Sequence, residues 1–363
     1  MTGLTHVTLS GTAYECGVIH GETFVDEIQQ NISVYLDKFA YHGVDKQTTR
    51  EQASDLLPRI QEWNPEYAEE LRGIAEGSGI SVIEIALLNV RYEVLYAAYS
   101  DGSLGVDGCT SFGLLPEVTA DHHTYVGQNW DWAEPIANTL IVTEVHRDNV
   151  PNHLAVTEAG IVGGKMGINE HGIGLVVNGL VSPNDGDDPF RKPFHVRCRE
   201  VLEAERFDTA LKPLVASLHA CSSNFVLGHA DGEIIDVEAS PNGPGYVYPR
   251  NGVHTHANHF ANNGFESCME RQLPDTLYRA RRLRQALEQH SGDIDPATIK
   301  SALSDHFGRP ASFCRHIDKN KHPQKRTQTD TSVIIDLTER TLCATYGPPC
   351  ETTYNTYQLG GAA

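Results

Sequence analysis

The sequence predicts an α+β fold built as four αββα layers and carrying a helical N-terminal segment. Three observations lead there. The first hundred of the 363 residues repeat their apolar positions at helical spacing. Beyond Cys109 the period changes to two, in short hairpin-forming strands. The later helices arrive in pairs between hairpins, an order that suits two stacked sheets covered on their outer faces. An apolar share of 40% can build a substantial core.

Phe24, Ile28, Ile32, Tyr35, Leu36 and Phe39 mark the first amphipathic helix. The spans 47 to 62 and 65 to 77 continue in the same period, and Ser81-Val-Ile-Glu84 has the form of a capping box opening a helix through Ala98. Tyr99 to Gly108, with glycines at 102, 105 and 108 and little apolar content, reads as an exposed linker. Strands follow at 111 to 115, 125 to 130, 140 to 146, 165 to 168 and 173 to 177. A helical pair at 192 to 204 and 207 to 219 precedes a hairpin, 224 to 227 with 233 to 237, turning at Asp231-Gly232. Helices at 275 to 290 and 296 to 306 lead to a last hairpin, 332 to 337 with 342 to 346.

A formal net charge of −20 opposes a phosphate backbone, so no nucleic-acid partner is expected, and the arginines at 279, 281, 282 and 284 read as a solvated helix face. No stretch approaches the roughly 20 uninterrupted apolar residues of a membrane span, and the start lacks the basic and apolar regions of an export signal. The expectation is a soluble cytoplasmic protein without a membrane partner. Eight scattered cysteines, with no Cys-x-x-Cys pair, read as reduced thiols, and neither a metal nor another cofactor is expected.

The richest chemistry lies at the change of period, in Asp107-Gly108-Cys109-Thr110-Ser111. Cleavage between Gly108 and Cys109 would give Cys109 an α-amine beside its thiol. An amine with a reference pKa of about 7.7 to 8.0 can take the proton of a thiol near about 8.5, so one residue would be nucleophile and base. Such an array also needs an anion to orient the amine, donors for an oxyanion and a fixed charge. Asp131 suits the first role, although its spacing also fits a turn aspartate. Asn258 suits the second, against the plain alternative of an asparagine closing a strand. Arg315, one charge among small and apolar neighbours, calls for a buried carboxylate such as Asp131, while a surface arginine would read the same. His254, His256 and His259 offer a rival zinc set for a metal-dependent amidohydrolase. His122, His123 or His254 could instead serve as a separate base of the papain kind.

Several of these segments, in order, resemble one known family: Tyr14-Glu-Cys-Gly17 with His20-Gly21, Asp107 to Ser111, Gly127-Gln-Asn-Trp-Asp131, Thr157-Glu-Ala-Gly-Ile161, Gly167-Ile-Asn169, the His-Thr and Asn-His elements of 254 to 259, and Cys314-Arg315. They resemble the acyl-CoA:6-aminopenicillanic acid (isopenicillin N) acyltransferase family, peptidase family C45, of the N-terminal-nucleophile (Ntn) hydrolases. The resemblance covers nearly the whole chain and implies a four-layer αββα Ntn-hydrolase sandwich. It implies self-cleavage into a helical small subunit, residues 1–108, and a catalytic core, residues 109–363, which stay associated. It implies Cys109 as nucleophile, with Asp131, Asn258 and Arg315 at the family's other active positions and Ser111 and Trp130 beside the substrate pocket. The reaction implied cleaves a linear amide of a small N-acyl compound through a Cys109 thioester and passes the acyl group to water or an amine, with acyl-CoA admissible as donor. A homo-oligomer stays open. His256 and Ala257 lengthen the His-Asn element relative to the fungal penicillin enzymes, and Ser111 stands where those carry threonine, so penicillin synthesis is not implied. The alternative is a non-processing small-molecule binding protein on the same fold.

Overall fold

The computed structural model describes residues 3–97, 108–262 and 264–360. The chain opens with strand β1 (Thr5–Ser10) and continues through helices α1 (Ala13–Thr23), α2 (Val25–Tyr41), α3 (Lys46–Trp63), α4 (Pro65–Ser78), α5 (Val82–Asn89) and α6 (Arg91–Ala97). The strand-rich part holds β2 (Thr110–Leu114), β3 (Tyr125–Ala133), β4 (Leu140–His146), β5 (His153–Glu158), β6 (Met166–Asn169) and β7 (Ile173–Gly179). Helices α7 (Phe194–Leu202) and α8 (Phe207–Val215) precede β8 (Ser223–His229), β9 (Glu233–Ser240), β10 (Gly243–Val247) and β11 (Val253–His256). Then come α9 (Thr276–Glu288), α10 (Pro296–Leu303), β12 (Thr327–Asp336), β13 (Thr341–Ala344) and β14 (Asn355–Gln358).

Two sheets form the centre, one of eight strands in the order β1-β4-β5-β6-β7-β8-β9-β10 and one of six in the order β11-β2-β3-β12-β13-β14. Strands β2 and β3 pack on β7 and β8, so the sheets are stacked; α7 and α8 lie on the first sheet and α9, backed by α10, on the second. The expected αββα sandwich is the fold. Enclosure between layers explains why β3 is buried along its whole length, polar residues included.

The first hundred residues are not all helical. Strand β1 lies parallel to β4, from Thr5 beside Ile141 to Ser10 beside His146. Its partner is remote in sequence, so no hairpin signal announced it. Helix α1 and strands β5, β10 and β14 also go beyond the expected elements. The run from Ser81 breaks at Val90, between α5 and α6. Ser81 Oγ caps α5 by accepting from Ile83 N at 3.3 Å, but Glu84 closes no capping box there and pairs instead with Arg50 at 2.7 Å. A capping box is formed by Thr12 and Glu15. The expected linker at 99–108 lies outside the described residues except for Gly108, which is buried rather than exposed.

Helices α1 and α4 touch through glycines. A Cβ on Gly17, Gly21, Gly73 or Gly77 would come within 2.1 to 2.4 Å of a carbonyl oxygen of the opposite helix, so side chains there would force the helices apart. The helical part is fastened to the core at Glu158-Ala-Gly160. Tyr35 Oη donates to Glu158 Oε2 at 2.6 Å, Arg91 pairs with Glu158 Oε1 at 2.5 Å, and Asn31 and Asn89 donate to the carbonyls of Ala159 and Gly160, each at 2.8 Å. Gly160 N donates to His20 Nε2 at 2.8 Å, and burial pulls His20 down to about 4, which keeps that ring neutral and able to accept. Among the described residues no helix is long and apolar enough to cross a membrane.

Candidate active site

Strand β2 runs between β3 and β11, with Thr110 opposite Asn129 and Ser111 opposite His256. Carrying both registers one residue back from Thr110 and two from Ser111 sets Cys109 level with Trp130 on one side and Asn258 on the other. Strand alternation gives Cys109 the same face as Ser111, whose Oγ accepts from Asn178 Nδ2 of the eight-stranded sheet at 2.8 Å. Thr110 is on the opposite face, where its Oγ1 accepts from Arg279 of α9 at 2.7 Å. Cys109 is fully buried between the layers.

Around this junction the chain gathers two carboxylates and two arginines. Arg315 Nε donates to Asp131 Oδ2 at 3.0 Å, and Arg315 Nη2 also pairs with Asp275. Asp275 Oδ2 takes Arg279 Nε at 2.8 Å, while Thr329, paired with Asp131 across β12 and β3, donates its hydroxyl to Asp131 Oδ1 at 2.7 Å. Burial pushes the Asp131 carboxyl up to about 6 against the pull of Arg315 and Arg279, which leaves it mainly ionised at neutral pH. Burial also acts to raise Asp275, but Arg279 and Arg315 outweigh it and hold that carboxyl below its usual range. Gly108 lies directly against this network: a Cβ there would be 2.6 Å from Arg315 Nε and 2.8 Å from Asp131 Oδ2.

Arg279 is the residue that sequence reasoning missed. The expected solvated face is wrong at this position, because Arg279 is fully buried. Its Nη1 donates to Gly108 O at 2.6 Å and to Cys109 O at 2.5 Å, and its Nη2 to Asn258 Oδ1 at 2.6 Å. A signal was present: Thr276, Arg279, Leu283 and Leu287 form the buried stripe of α9, a helical period that sets 279 apart from 281, 282 and 284. Asp275 and Thr329 were likewise unannounced. Asn258 is fully buried beside the junction, yet its Nδ2 donates to Gly179 O at 3.0 Å. It reaches the Gly108 and Cys109 carbonyls through Arg279.

Trp130 lines a narrow cleft with Tyr92, Lys165, Asn178 and Phe194, and its ring lies 3.3 Å from Lys165 Nζ. The cleft measures about 10 Å³, room for about one water. Ser111 touches it only through Asn178. A wider open depression of about 540 Å³ near α7 and α8, lined by residues such as Lys192, Arg206 and Ser217, includes none of the residues singled out above.

The histidine alternatives do not assemble. His254 Nε2 pairs with Asp236 and His256 Nε2 with Glu238, both at 2.8 Å, and His259 Nδ1 meets Thr276 Oγ1 at 2.9 Å. Their rings form a row with centroids 6.3 and 6.4 Å apart, and they do not converge on one ion. His123 is bound to Asp336 at 2.8 Å, and with His122 it precedes the Tyr125 end of β3, away from the Trp130 end that flanks Cys109. His254 stands opposite Gly113, several residues along β2 from Cys109.

The family model described as acyl-coenzyme A:6-aminopenicillanic acid acyl-transferase matches residues 118–349, well over half of the chain. This chain belongs to that family. It is 30% identical over 353 residues to the acyl-coenzyme A:6-aminopenicillanic-acid-acyltransferase 40 kDa form of Emericella nidulans, an alignment covering 95% of this chain and 93% of the relative. Among solved structures, an N-acylethanolamine-hydrolyzing acid amidase ortholog from Caenorhabditis elegans shares 15% identity at a TM-score of 0.47, over 63% of this chain and 93% of the other. Penicillin V acylase from Agrobacterium tumefaciens shares 15% identity at a TM-score of 0.45, over 68% and 84%.

Proposed function

We propose that this family member is a self-processing cysteine Ntn hydrolase or acyltransferase, cut between Gly108 and Cys109 and then acting on the amide of a small N-acyl compound. The observation that carries this reading is the junction: Gly108 abuts the Asp131–Arg315 pair while Arg279 donates to its carbonyl oxygen at 2.6 Å. In the uncut chain the Cys109 nitrogen is an amide without basicity, so the precursor is inert. Cys109 Sγ loses its proton and adds to the Gly108 carbonyl carbon. The C–N bond then breaks, the nitrogen gains a proton to become the Cys109 amine, and a thioester joins Gly108 to Sγ. Water hydrolyses that thioester to the Gly108 carboxylate and the free thiol. Arg279 holds the carbonyl oxygen where negative charge develops in both steps.

In the mature protein the Cys109 amine takes the thiol proton as Sγ attacks the acyl carbon, then returns a proton to the leaving amine. Water completes hydrolysis, or a second amine completes transfer; acyl-CoA is an alternative acyl donor, and no resident cofactor takes part. Asp131, kept ionised and fixed by Arg315, orients the ammonium group. Asn258 Nδ2 has two N–H bonds, one directed to Gly179 O, and the other serves the substrate oxyanion. The acyl group enters the cleft at Trp130, which must widen from its volume in the uncut chain. Strand β1 and the contacts on Glu158 keep the small subunit, 1–108, attached to the large subunit, 109–363.

Intact mass and N-terminal sequencing test this directly. The expected result is two chains, the second beginning Cys-Thr-Ser-Phe-Gly; full-length protein alone in both fresh and aged samples rejects self-processing. Turnover is then sought with N-acyl amino acids, N-acyl lactones, acyl-amines and β-lactams, and with acyl-CoA plus an amine in parallel.

A further inference from the structure

Next to Arg315 in the chain, four side chains converge that the proposed reaction does not use. His306 follows α10, Cys314 and His316 flank Arg315, and Cys350 lies in the turn between β13 and β14. One donor atom from each falls within 4.8 Å of all the others. His306 Nε2 is 3.1 Å from His316 Nε2 and 3.2 Å from Cys350 Sγ; Cys314 Sγ is 3.5 Å from Cys350 Sγ and 3.7 Å from His316 Nε2; and Cys350 Sγ is 3.4 Å from His316 Nε2. With zinc bond lengths of about 2.0 to 2.1 Å to nitrogen and about 2.3 Å to sulfur, tetrahedral angles require donor separations of roughly 3.3 to 3.8 Å. The cluster is already close to that figure.

Hydrogen bonding accounts poorly for such a group. With both Nε2 atoms as acceptors, the two thiols supply only two protons for five mutual contacts of 3.1 to 3.7 Å, so most of these close approaches are not hydrogen bonds. A cation accepts every lone pair at once. A second observation concerns the ligand orientation: His316 Nδ1 is 3.3 Å from Glu351 Oε1. Holding one ring nitrogen with a carboxylate turns the other toward a metal, and metal-bound histidines usually have such a partner.

We propose that His306, Cys314, His316 and Cys350 form a tetrahedral zinc site. Two thiol and two imidazole donors in this geometry select zinc among the common divalent ions. With four protein ligands and no open position the site is structural. Binding displaces the two thiol protons to solvent, and two thiolates with two neutral imidazoles leave the centre without net charge. The ion ties the segment carrying Arg315 to the turn at Cys350 and so holds the backbone on both sides of that arginine. Cys350 and His306 are exposed, which gives the ion a route in from solvent. This inference is independent of the catalytic reading, since its test measures metal rather than turnover.

Full-length protein, prepared without a histidine tag under reducing conditions, is subjected to elemental analysis and then, after chelator treatment, titrated with cobalt(II). The expected result is about one zinc per chain and, with cobalt, the visible bands of a tetrahedral centre plus a near-ultraviolet thiolate charge-transfer band. Cys350→Ser and His306→Ala alter exposed ligands and should abolish stoichiometric binding while the chain stays folded. Glu351→Gln should weaken affinity about 10- to 100-fold. Cys343→Ser serves as a control and should bind normally. The proposal is overturned if reduced wild-type protein has no zinc and takes up no cobalt, if Cys350→Ser binds as the wild type does, or if peptide mapping of protein isolated under native conditions shows a Cys314–Cys350 disulfide. Because the cobalt spectrum is read on the unaltered protein, a variant that fails to fold does not leave the matter open.

Discussion

Replacing Arg279 with methionine should stall maturation. Its Nη1 lies 2.6 Å from Gly108 O, the oxygen that becomes negative as Cys109 Sγ adds to the carbonyl. Losing one preorganised oxyanion donor costs about 3 to 4 kcal/mol, which slows cleavage roughly 100- to 1000-fold. The fold should survive. Asp275 keeps Arg315 as its partner, so no buried carboxylate is stranded. The Gly108 and Cys109 carbonyls, the Thr110 hydroxyl and the Asn258 amide each lose a donor, at about 1 kcal/mol apiece, or about 4 kcal/mol against a typical total of about 5 to 15. The assay follows the full-length fraction by intact mass over days, with Tm measured on the same samples. Arg279→Lys keeps a charge but cannot span the same acceptors, and should cleave at an intermediate rate. Wild-type cleavage in folded Arg279→Met would refute the role; should methionine prevent folding, the lysine variant decides, because an unchanged rate there would equally remove the guanidinium from the mechanism.

Gly108→Ala should remain full length, because its Cβ would press within 2.6 Å of Arg315 Nε and 2.8 Å of Asp131 Oδ2 and push apart a buried ion pair, at about 3 kcal/mol; a normal two-chain mass pattern would sink the claim that this space is needed. Asn258→Ala should lower turnover of the mature enzyme about 100-fold or more while preserving two-chain assembly, and near-normal turnover would take Asn258 out of the oxyanion role. Stability should fall with rising pH through His256. Burial alone would lower this group, but Asp236 and Glu238 raise it to about 9, with His254 and His259 as its other titratable neighbours. A raised folded pKa means that the stabilisation is complete below the unfolded value of about 6.5 and is lost as pH climbs to about 9, a loss of about 3 kcal/mol. Urea midpoints between pH 6 and 9 should show this decline and His256→Gln should flatten it; equal slopes in the two proteins would contradict it.

The sequence by itself determined the layer class, because apolar periods of 3.6 and 2 are local properties of each segment. It also marked Cys109, Asp131, Asn258 and Arg315 as candidates, and the fold brings the last three around the Gly108-Cys109 junction. Strand β1 escaped because its pairing with β4 links distant parts of the chain and leaves no turn to read. Arg279 escaped because a run of arginines looks uniformly solvated until the helical stripe through Leu283 and Leu287 is given a face. The expectation of no metal went with the absence of a Cys-x-x-Cys pair, whereas the proposed set joins two cysteines 36 residues apart, Cys314 and Cys350, with His306 and His316. Tertiary structure alone decided which of these groups share a point in space. Charges and lone pairs act over a few ångströms, and only the folded chain determines which distant residues come that close.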